Sequence, residues 1–301
     1  MHCKRFAFKF GFFLLIFFLV KLFPLHLLAK EELILIPYKD KLKNQIKKDL
    51  EGLVPEDYIE AIFSSSELTY IPDIMIKSLI WKEETLPYSQ FFEPVRIERA
   101  KVFIEENKEL LEDIEFVFGV EKEVITAIFL VETDLGKKTG SFSVINVFYS
   151  LALSGEKEVF ENFITHPQIS LLNETIKNKW EKRSKWGYKE LLCFIQISYQ
   201  NNWDPFSIKG SIFGAFGYPQ FVPKSYLIYG YDWNKDGRVD LYNLGDALAS
   251  IANYLKKEGY KKESTLEEKK KVIMKYNFSE PYAHTVLTIT KILKNEISIN
   301  P

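Results

Sequence analysis

The sequence predicts a mainly α fold in a single domain. Three observations carry this prediction. Apolar residues recur at helical spacing through most of the chain past Lys30. Alternation over a strand length is nearly absent, with only Glu32 to Pro37 hinting at one. Proline and glycine stand where helices should open and stop. With 301 residues, 47% of them apolar and 15% aromatic, the chain can bury one full core, and no repeat or low-complexity stretch divides it.

The elements follow in order. Residues 1–29 hold a basic head (Lys4, Arg5, Lys9), the apolar run Phe10 to Val20, then Lys21 and a second apolar stretch to Ala29. That charge order is expected of an export signal. Lys21 splits the run below the roughly 20 residues that span a bilayer, and Leu27 is bulky for a cut after Ala29, so cleaved signal and uncleaved membrane anchor both stay open. From Lys30 to Pro301 the domain should be helical. Pro55 opens a helix through Phe63, as proline at a first helical position does. Pro94 to Phe118 reads as one long helix with Val102, Phe103, Leu110, Ile114 and Val117 on its buried face and Gly119 as its stop. Helices are expected at Glu121–Asp134, Ser143–Leu153, Tyr188–Asn201, Asp246–Glu258, Leu266–Tyr276 and Pro281–Asn295. Gly155 to Trp186, rich in Lys, Glu and Asn, reads as a solvated helical insertion. Gly210 to Asn243 is a long glycine- and proline-rich loop with one short helix near Lys224 to Tyr229, and loops of that length usually carry function.

Composition removes several function classes. There are 40 basic and 41 acidic residues, but four of the basic ones lie in the first 29 positions, where no acid falls. The remainder carries a net charge of about −5, which excludes nucleic acid as the main partner, because phosphate binding needs clustered positive charge. Two cysteines, Cys3 and Cys193, rule out a disulfide scaffold, and four scattered histidines give no metal triad.

One carboxylate stands apart. Val124 to Val131 is apolar on nearly every side, and Glu132 continues the stripe of Ile125, Ile128 and Phe129. Buried there, it would be kept protonated by desolvation, as the general acid for a glycosidic bond must be. Spacing alone leaves open that Glu132 simply emerges into solvent at the helix end. Asp134, two residues on, should face away from it.

Around Glu132 the sequence resembles a known family. Val131-Glu132-Thr133-Asp134-Leu135-Gly136, Thr139-Gly140-Ser141 and Val144-Ile145 are similar to the catalytic segment of lytic murein transglycosylases of the membrane-bound type B family. Lys209-Gly210-Ser211, Gly214 through Pro223 and Ser225-Tyr226 resemble its glycine-rich substrate loop. Ala247 to Leu255 and Tyr276-Asn277, with Ser279, Tyr282 and Ala283, complete the match, which runs in order from about Pro72 to His284. The resemblance implies a lysozyme-like helical fold and an exported, periplasmic enzyme. Its substrate would be peptidoglycan glycan strands, cut between N-acetylmuramic acid and N-acetylglucosamine. Glu132 would act first as acid and then as base, closing a 1,6-anhydro ring with no catalytic cofactor. Ser211 and Gln220 would bind the muramyl sugar. Tyr254 and Tyr276 would line the pocket, with Asn277 behind them.

A further loop resembles an EF-hand. Asp232, Asn234, Asp236 and Asp240 stand at loop positions one, three, five and nine, Gly237 allows the turn, and Arg238 offers a backbone carbonyl. Position twelve is Asn243, where a bidentate glutamate is expected. The family resemblance supplies Asp246 at position fifteen instead. The expectation is a structural Ca2+, and a plain polar turn is the alternative. The chain departs from its relatives at Ile212, Phe213 and Phe216, bulkier than usual in the substrate loop. Two competing readings follow: a muramidase that hydrolyses the same bond, and a non-catalytic wall-binding or scaffold protein with its groove occluded by Phe213 and Phe216.

Overall fold

The computed structural model describes residues 33–81, 87–164, 166, 169 and 174–298. The expected export segment at 1–29 lies outside them. The first helix, α1, occupies 33–49, where the start of the chain had hinted at a strand. A short run of four apolar residues is ambiguous between the two periods. Tyr38, Leu42, Ile46 and Leu50 decide it, because their spacing of four puts one helical stripe on the core.

Short helices α2 (Glu56–Ser64) and α3 (Pro72–Ile80) follow, and a 3-10 turn covers Tyr88–Phe92. The long helix expected over Pro94–Phe118 is two: α4 (Pro94–Glu106) and α5 (Lys108–Phe118). Asn107 separates them, its backbone off the helical basin and its side-chain Nδ2 donating to the Phe103 carbonyl at 2.9 Å. The break shifts the buried face to Ile97, Ala100 and Ile104 on α4 and Leu111, Ile114 and Phe118 on α5, while Val102 and Val117 are exposed. Gly119, at φ +69°, ends α5 as expected.

Helices α6 (Lys122–Thr133) and α7 (Val144–Leu153) are apolar almost all round, and the structure buries them accordingly. Helix α8 (Lys157–Phe163) leads towards α9 (Glu174–Gln200). The expected helix at Tyr188 thus begins fourteen residues earlier. It takes in residues 174–186 of the expected insertion, which is less solvated than its charge suggests: Trp180 packs on Phe160 and donates to the Ser154 carbonyl at 2.5 Å. After α10 (Pro223–Tyr229) come α11 (Leu244–Lys257), α12 (Leu266–Tyr276) and α13 (Glu280–Leu293). Thr265 and Glu268 form a reciprocal capping box at the start of α12.

Helix α6 runs through the middle, packed by α4, α5, α11 and α13, and α7 lies on α9. The sheet content among the described residues is one two-stranded ribbon. In it β1 (Phe142–Ser143) pairs antiparallel with β2 (Lys209–Gly210), in the register Phe142 to Gly210 and Ser143 to Lys209. Gly210 and Phe221 each bridge to Phe216, so the loop after β2 folds back on itself. Among the described residues, no helix is long and apolar enough to cross a membrane.

Candidate active site

The site is assembled where α6 runs out. Its C-terminus is enforced by three consecutive left-handed residues, Asp134 (φ +54°), Leu135 (φ +58°) and Gly136 (φ +85°). Two of them carry side chains, so the turn is held by partners rather than by glycine alone. The Asp134 carboxylate takes the guanidinium of Arg99 at 2.5 Å and that of Arg96 at 3.4 Å, from α4. Thr133 Oγ1 accepts from Gly136 N at 3.1 Å. Asp134 is therefore committed to α4.

Glu132, half-buried in the last turn of α6, is met by a tyrosine from α13. Tyr282 Oη donates to Glu132 Oε1 at 2.6 Å, a charge-assisted bond when the carboxyl is ionised. The local sequence fixes the donor. Ser279 caps α13 and accepts from Tyr282 N at 3.2 Å, with Pro281 in the first turn, so Tyr282 sits at a defined position one turn into the helix. Its side chain is 2% exposed. Burial, then the Glu132 charge beside it, holds the Tyr282 phenol well above the ordinary value, so it remains a donor. Tyr88 Oη lies 3.4 Å from Ser279 Oγ and continues the network outward.

Tyr276, at the end of α12, is likewise pushed well above the ordinary phenol value by burial and by the charge of Glu132. Its Oη donates to the Pro219 carbonyl at 2.6 Å, tying α12 to the long loop. Tyr254, on α11, stacks obliquely on Tyr276 at 4.7 Å, and its Oη donates to the Lys275 carbonyl at 2.5 Å. At 8% exposure Tyr254 is a supporting wall rather than an open pocket face. Asn277, half-buried, is the residue at which α12 ends in extended backbone.

Gln220 and Ser211 stand on the loop side. Gln220 is itself in the left-handed region (φ +52°), and its Nε2 donates to the Gly217 carbonyl at 2.8 Å and to the Thr139 carbonyl at 3.2 Å. Ser211 Oγ accepts from Phe213 N at 3.3 Å and Ala215 N at 3.2 Å, holding its own turn. Gly140 (φ +94°) lies so close to this strand that a Cβ there would meet the Gly210 carbonyl at 2.1 Å. The loop and the turn after Glu132 are thereby locked together.

One expectation needs correction. Phe216 is not in a groove: it is 1% exposed, stacked on Tyr226 at 6.0 Å and edge-on to Phe194 and Trp203, and so belongs to the core beneath the loop. Asn243, at loop position twelve, caps α11 by accepting from Gly245 N and Asp246 N. In the EF-hand-like loop, Asp232, Asn234, Asp236, Arg238, Asp240 and Asp246 lie along one turn closed by side-chain to backbone bonds. Asp232 Oδ2 accepts from Gly237 N at 2.8 Å and Asn234 Oδ1 from Asp236 N at 2.9 Å. Asp236 Oδ1 accepts from Arg238 N at 3.0 Å. Asp246, fully buried, latches the loop by accepting from Trp233 N at 2.9 Å and Asp240 N at 2.8 Å. Among the described residues no three Asp, Glu, His or Cys side chains converge closely enough to hold a metal as they stand.

Sequence reasoning missed Tyr282 as the partner of Glu132, and Arg96 and Arg99 as the clamp on Asp134. The Ser279-Glu280-Pro281-Tyr282 start signal held the first. The arginines carried the signal of two cations three apart on one helix face, which points to an anion without naming it.

The profile described as Transglycosylase SLT domain matches residues 54–271. The membrane-bound lytic murein transglycosylase B of Escherichia coli (strain K12) is 28% identical over 173 residues, which is 58% of this chain and 41% of that protein. The chain thus spans about two fifths of the length of this curated relative. Two solved structures share the fold. SltB3 from Pseudomonas aeruginosa, in complex with NAG-anhNAM-pentapeptide, is 19% identical with a TM-score of 0.69, over 86% of this chain and 79% of that one. The Escherichia coli lytic transglycosylase Slt35, in complex with calcium, is 19% identical with a TM-score of 0.66, over 86% and 93%. This likeness places the helical architecture among lysozyme-like transglycosylase folds.

Proposed function

Because the chain belongs to the Transglycosylase SLT domain family, we propose that it is a lytic murein transglycosylase cutting the β-1,4 bond between N-acetylmuramic acid and N-acetylglucosamine. The observation that carries the reading is Glu132 itself: one carboxyl at the end of a buried apolar helix, fixed by Tyr282, while Asp134 is drawn away by two arginines. A retaining pair of carboxylates would need the second acid beside the first. Here the neighbour in sequence is committed elsewhere.

Glu132 passes its proton to the glycosidic oxygen as the bond to the muramyl C1 breaks. The muramyl N-acetyl oxygen steadies the positive charge at C1 in place of a second carboxylate. The ionised Glu132, held by Tyr282, then takes the proton from the C6 hydroxyl, and O6 closes on C1 to give the 1,6-anhydro end. Ser211 has its own hydroxyl hydrogen to donate to the sugar, since its oxygen is engaged as an acceptor. Gln220 offers its amide oxygen, its nitrogen being engaged with two carbonyls. Tyr254 and Tyr276 back the pocket, with Asn277 at its edge.

The domain would extend from residue 30 to 301, with 1–29 directing export to the periplasm as a signal or retained anchor. A structural Ca2+ would be held by Asp232, Asn234, Asp236, the Arg238 carbonyl, Asp240 and Asp246. These are all oxygen donors, as a hard cation requires. Asp246 can serve although it accepts two N–H groups, because each carboxylate oxygen keeps a second lone pair. The metal would pin the loop to α11 and take no part in the reaction.

The test is mass spectrometry of muropeptides released from peptidoglycan by the purified chain. Anhydro-muramyl ends support the proposal. Reducing ends would make it a muramidase, and no release would favour a binding protein.

A further inference from the structure

Trp81 follows α3 directly and is 43% exposed, an unusual position for an indole. Its ring meets Phe213 edge-to-face, with centroids 5.3 Å apart and planes at 69°. The two residues come from distant parts of the chain, and edge-to-face is a preferred geometry for an aromatic pair. Phe213 is half-buried and firmly placed. Its N–H donates to Ser211 Oγ at 3.3 Å. The next residue, Gly214 (φ +81°), is pressed so closely on α7 that a Cβ there would meet the Phe148 ring at 2.3 Å.

Each residue lies near a group of the candidate site along the chain. Phe213 is two residues from Ser211. Trp81 is seven residues before Tyr88, which reaches the Ser279 cap that positions Tyr282. Seven residues span at most about 25 Å, so Trp81 stands within that reach of Tyr88. A pyranose presents an apolar face of C–H groups with hydroxyls around its edge. Two neutral rings flanked by a serine hydroxyl match that chemistry, and they offer no charge for a peptide.

We propose that Trp81 and Phe213 form an aromatic platform on the cleft rim that stacks on a hexosamine ring of the glycan strand, beyond the sugars held at Glu132. This rests on the function proposed above and adds to it a contact that sets how long a strand is bound. The platform predicts a dependence on oligomer length that a packing role would not produce.

The experiment is calorimetric titration of the full chain carrying Glu132→Gln with β-1,4-linked N-acetylglucosamine oligomers of two and six sugars. Adding Trp81→Ala or Phe213→Ala is expected to weaken the hexamer about tenfold, which is about 1.4 kcal/mol, and to leave the dimer unchanged. Phe213→Tyr should restore the hexamer and Phe213→Leu should not. Equal hexamer affinity in all variants overturns the platform, as does tighter binding, which would make the rings a barrier. Parallel weakening of both oligomers would reduce the pair to packing. Anhydro ends from the wild type test the function separately: their absence defeats that reading, while a length-selective loss of binding would still be readable.

Discussion

Tyr282→Phe separates positioning from packing at the candidate site. The substitution keeps the ring, which is buried between α6 and α13, and removes one hydroxyl. What is lost is a single 2.6 Å donor to Glu132 Oε1. Hydrogen bonds to charged groups contribute about 1.5–3 kcal/mol, and in the proposed mechanism the donor matters most when Glu132 is ionised, between proton donation and proton recovery. At about 1.4 kcal/mol per decade, that predicts a rate of anhydro-muropeptide release lower by about 10- to 100-fold. The melting temperature should fall only slightly, because no apolar contact is removed. The assay is turnover on isolated peptidoglycan alongside a thermal melt. The decisive arm is the double variant with Glu132→Gln, whose residual rate should be no lower than that of Glu132→Gln alone, since the two residues act as one unit. Near-normal turnover in Tyr282→Phe would refute the claim that this bond aims the carboxyl. An additive loss in the double variant would show Tyr282 acting on substrate rather than through Glu132.

Other predictions follow from the same geometry. Glu132→Gln should lower turnover by about 10²–10⁴ or more with the fold intact, by circular dichroism and muropeptide analysis, because the shape stays and the proton goes. Gly140→Ala should destabilise by about 1–3 kcal/mol in denaturant melts, since its Cβ would meet backbone at Gly210 and the left-handed φ adds strain. Calcium at 100 times its dissociation constant should raise stability by about 2.7 kcal/mol, magnesium should do less, and Asp236→Ala should abolish the gain. Unchanged melting with calcium, magnesium and chelator would leave the loop a polar turn. Glu190, buried on α9, accepts from Lys224 N at 2.8 Å, and burial raises its pKa above the carboxylate norm. A raised folded value favours the protonated form, so its stabilisation is present at low pH and lost as pH rises through that value. Glu190→Gln, which keeps the acceptor, should therefore gain melting temperature relative to wild type between acid and neutral pH.

How far the sequence disclosed this molecule depended on which physical signal each part carried. Helices α6, α7, α11, α12 and α13 were legible nearly to their ends, because their apolar stripes, caps and glycine stops agree. The single helix over Pro94–Phe118 was not, since Asn107 interrupts it through a side-chain bond to its own turn that periodicity does not register. Phe216 was misplaced for a different reason. A glycine-rich segment reads as surface, yet this one folds over Phe194, Trp203 and Tyr226 and sends Phe216 inward. Glu132 stood out because it is polar in an apolar stripe. Its partner did not, because a tyrosine on an amphipathic helix looks like packing until the facing carboxyl is known.

The same contrast explains why the site can be rigid although much of it lies on loops. Three segments far apart in the chain converge on it: the end of α6, the turn from Ser211 to Gln220, and the stretch from Tyr276 to Tyr282. Each is fixed by a bond that leaves its own segment. Asp134 is held from α4, Gln220 reaches Thr139, and Tyr276 reaches Pro219. Burial of Phe216 anchors the middle segment from below, where flexible loops usually have nothing. In the proposed mechanism the carboxyl gives up a proton and then recovers one, and it would gain from such a frame because its position need not be found again between the two steps. Arg99 carries that argument to a residue that touches no sugar. Arg99→Met would loosen the left-handed turn after Glu132 while sparing every side chain assigned to the substrate. A loss of turnover with oligomer affinity preserved in the Glu132→Gln background would locate the effect in the frame, and a loss of affinity instead would move Arg99 into the groove.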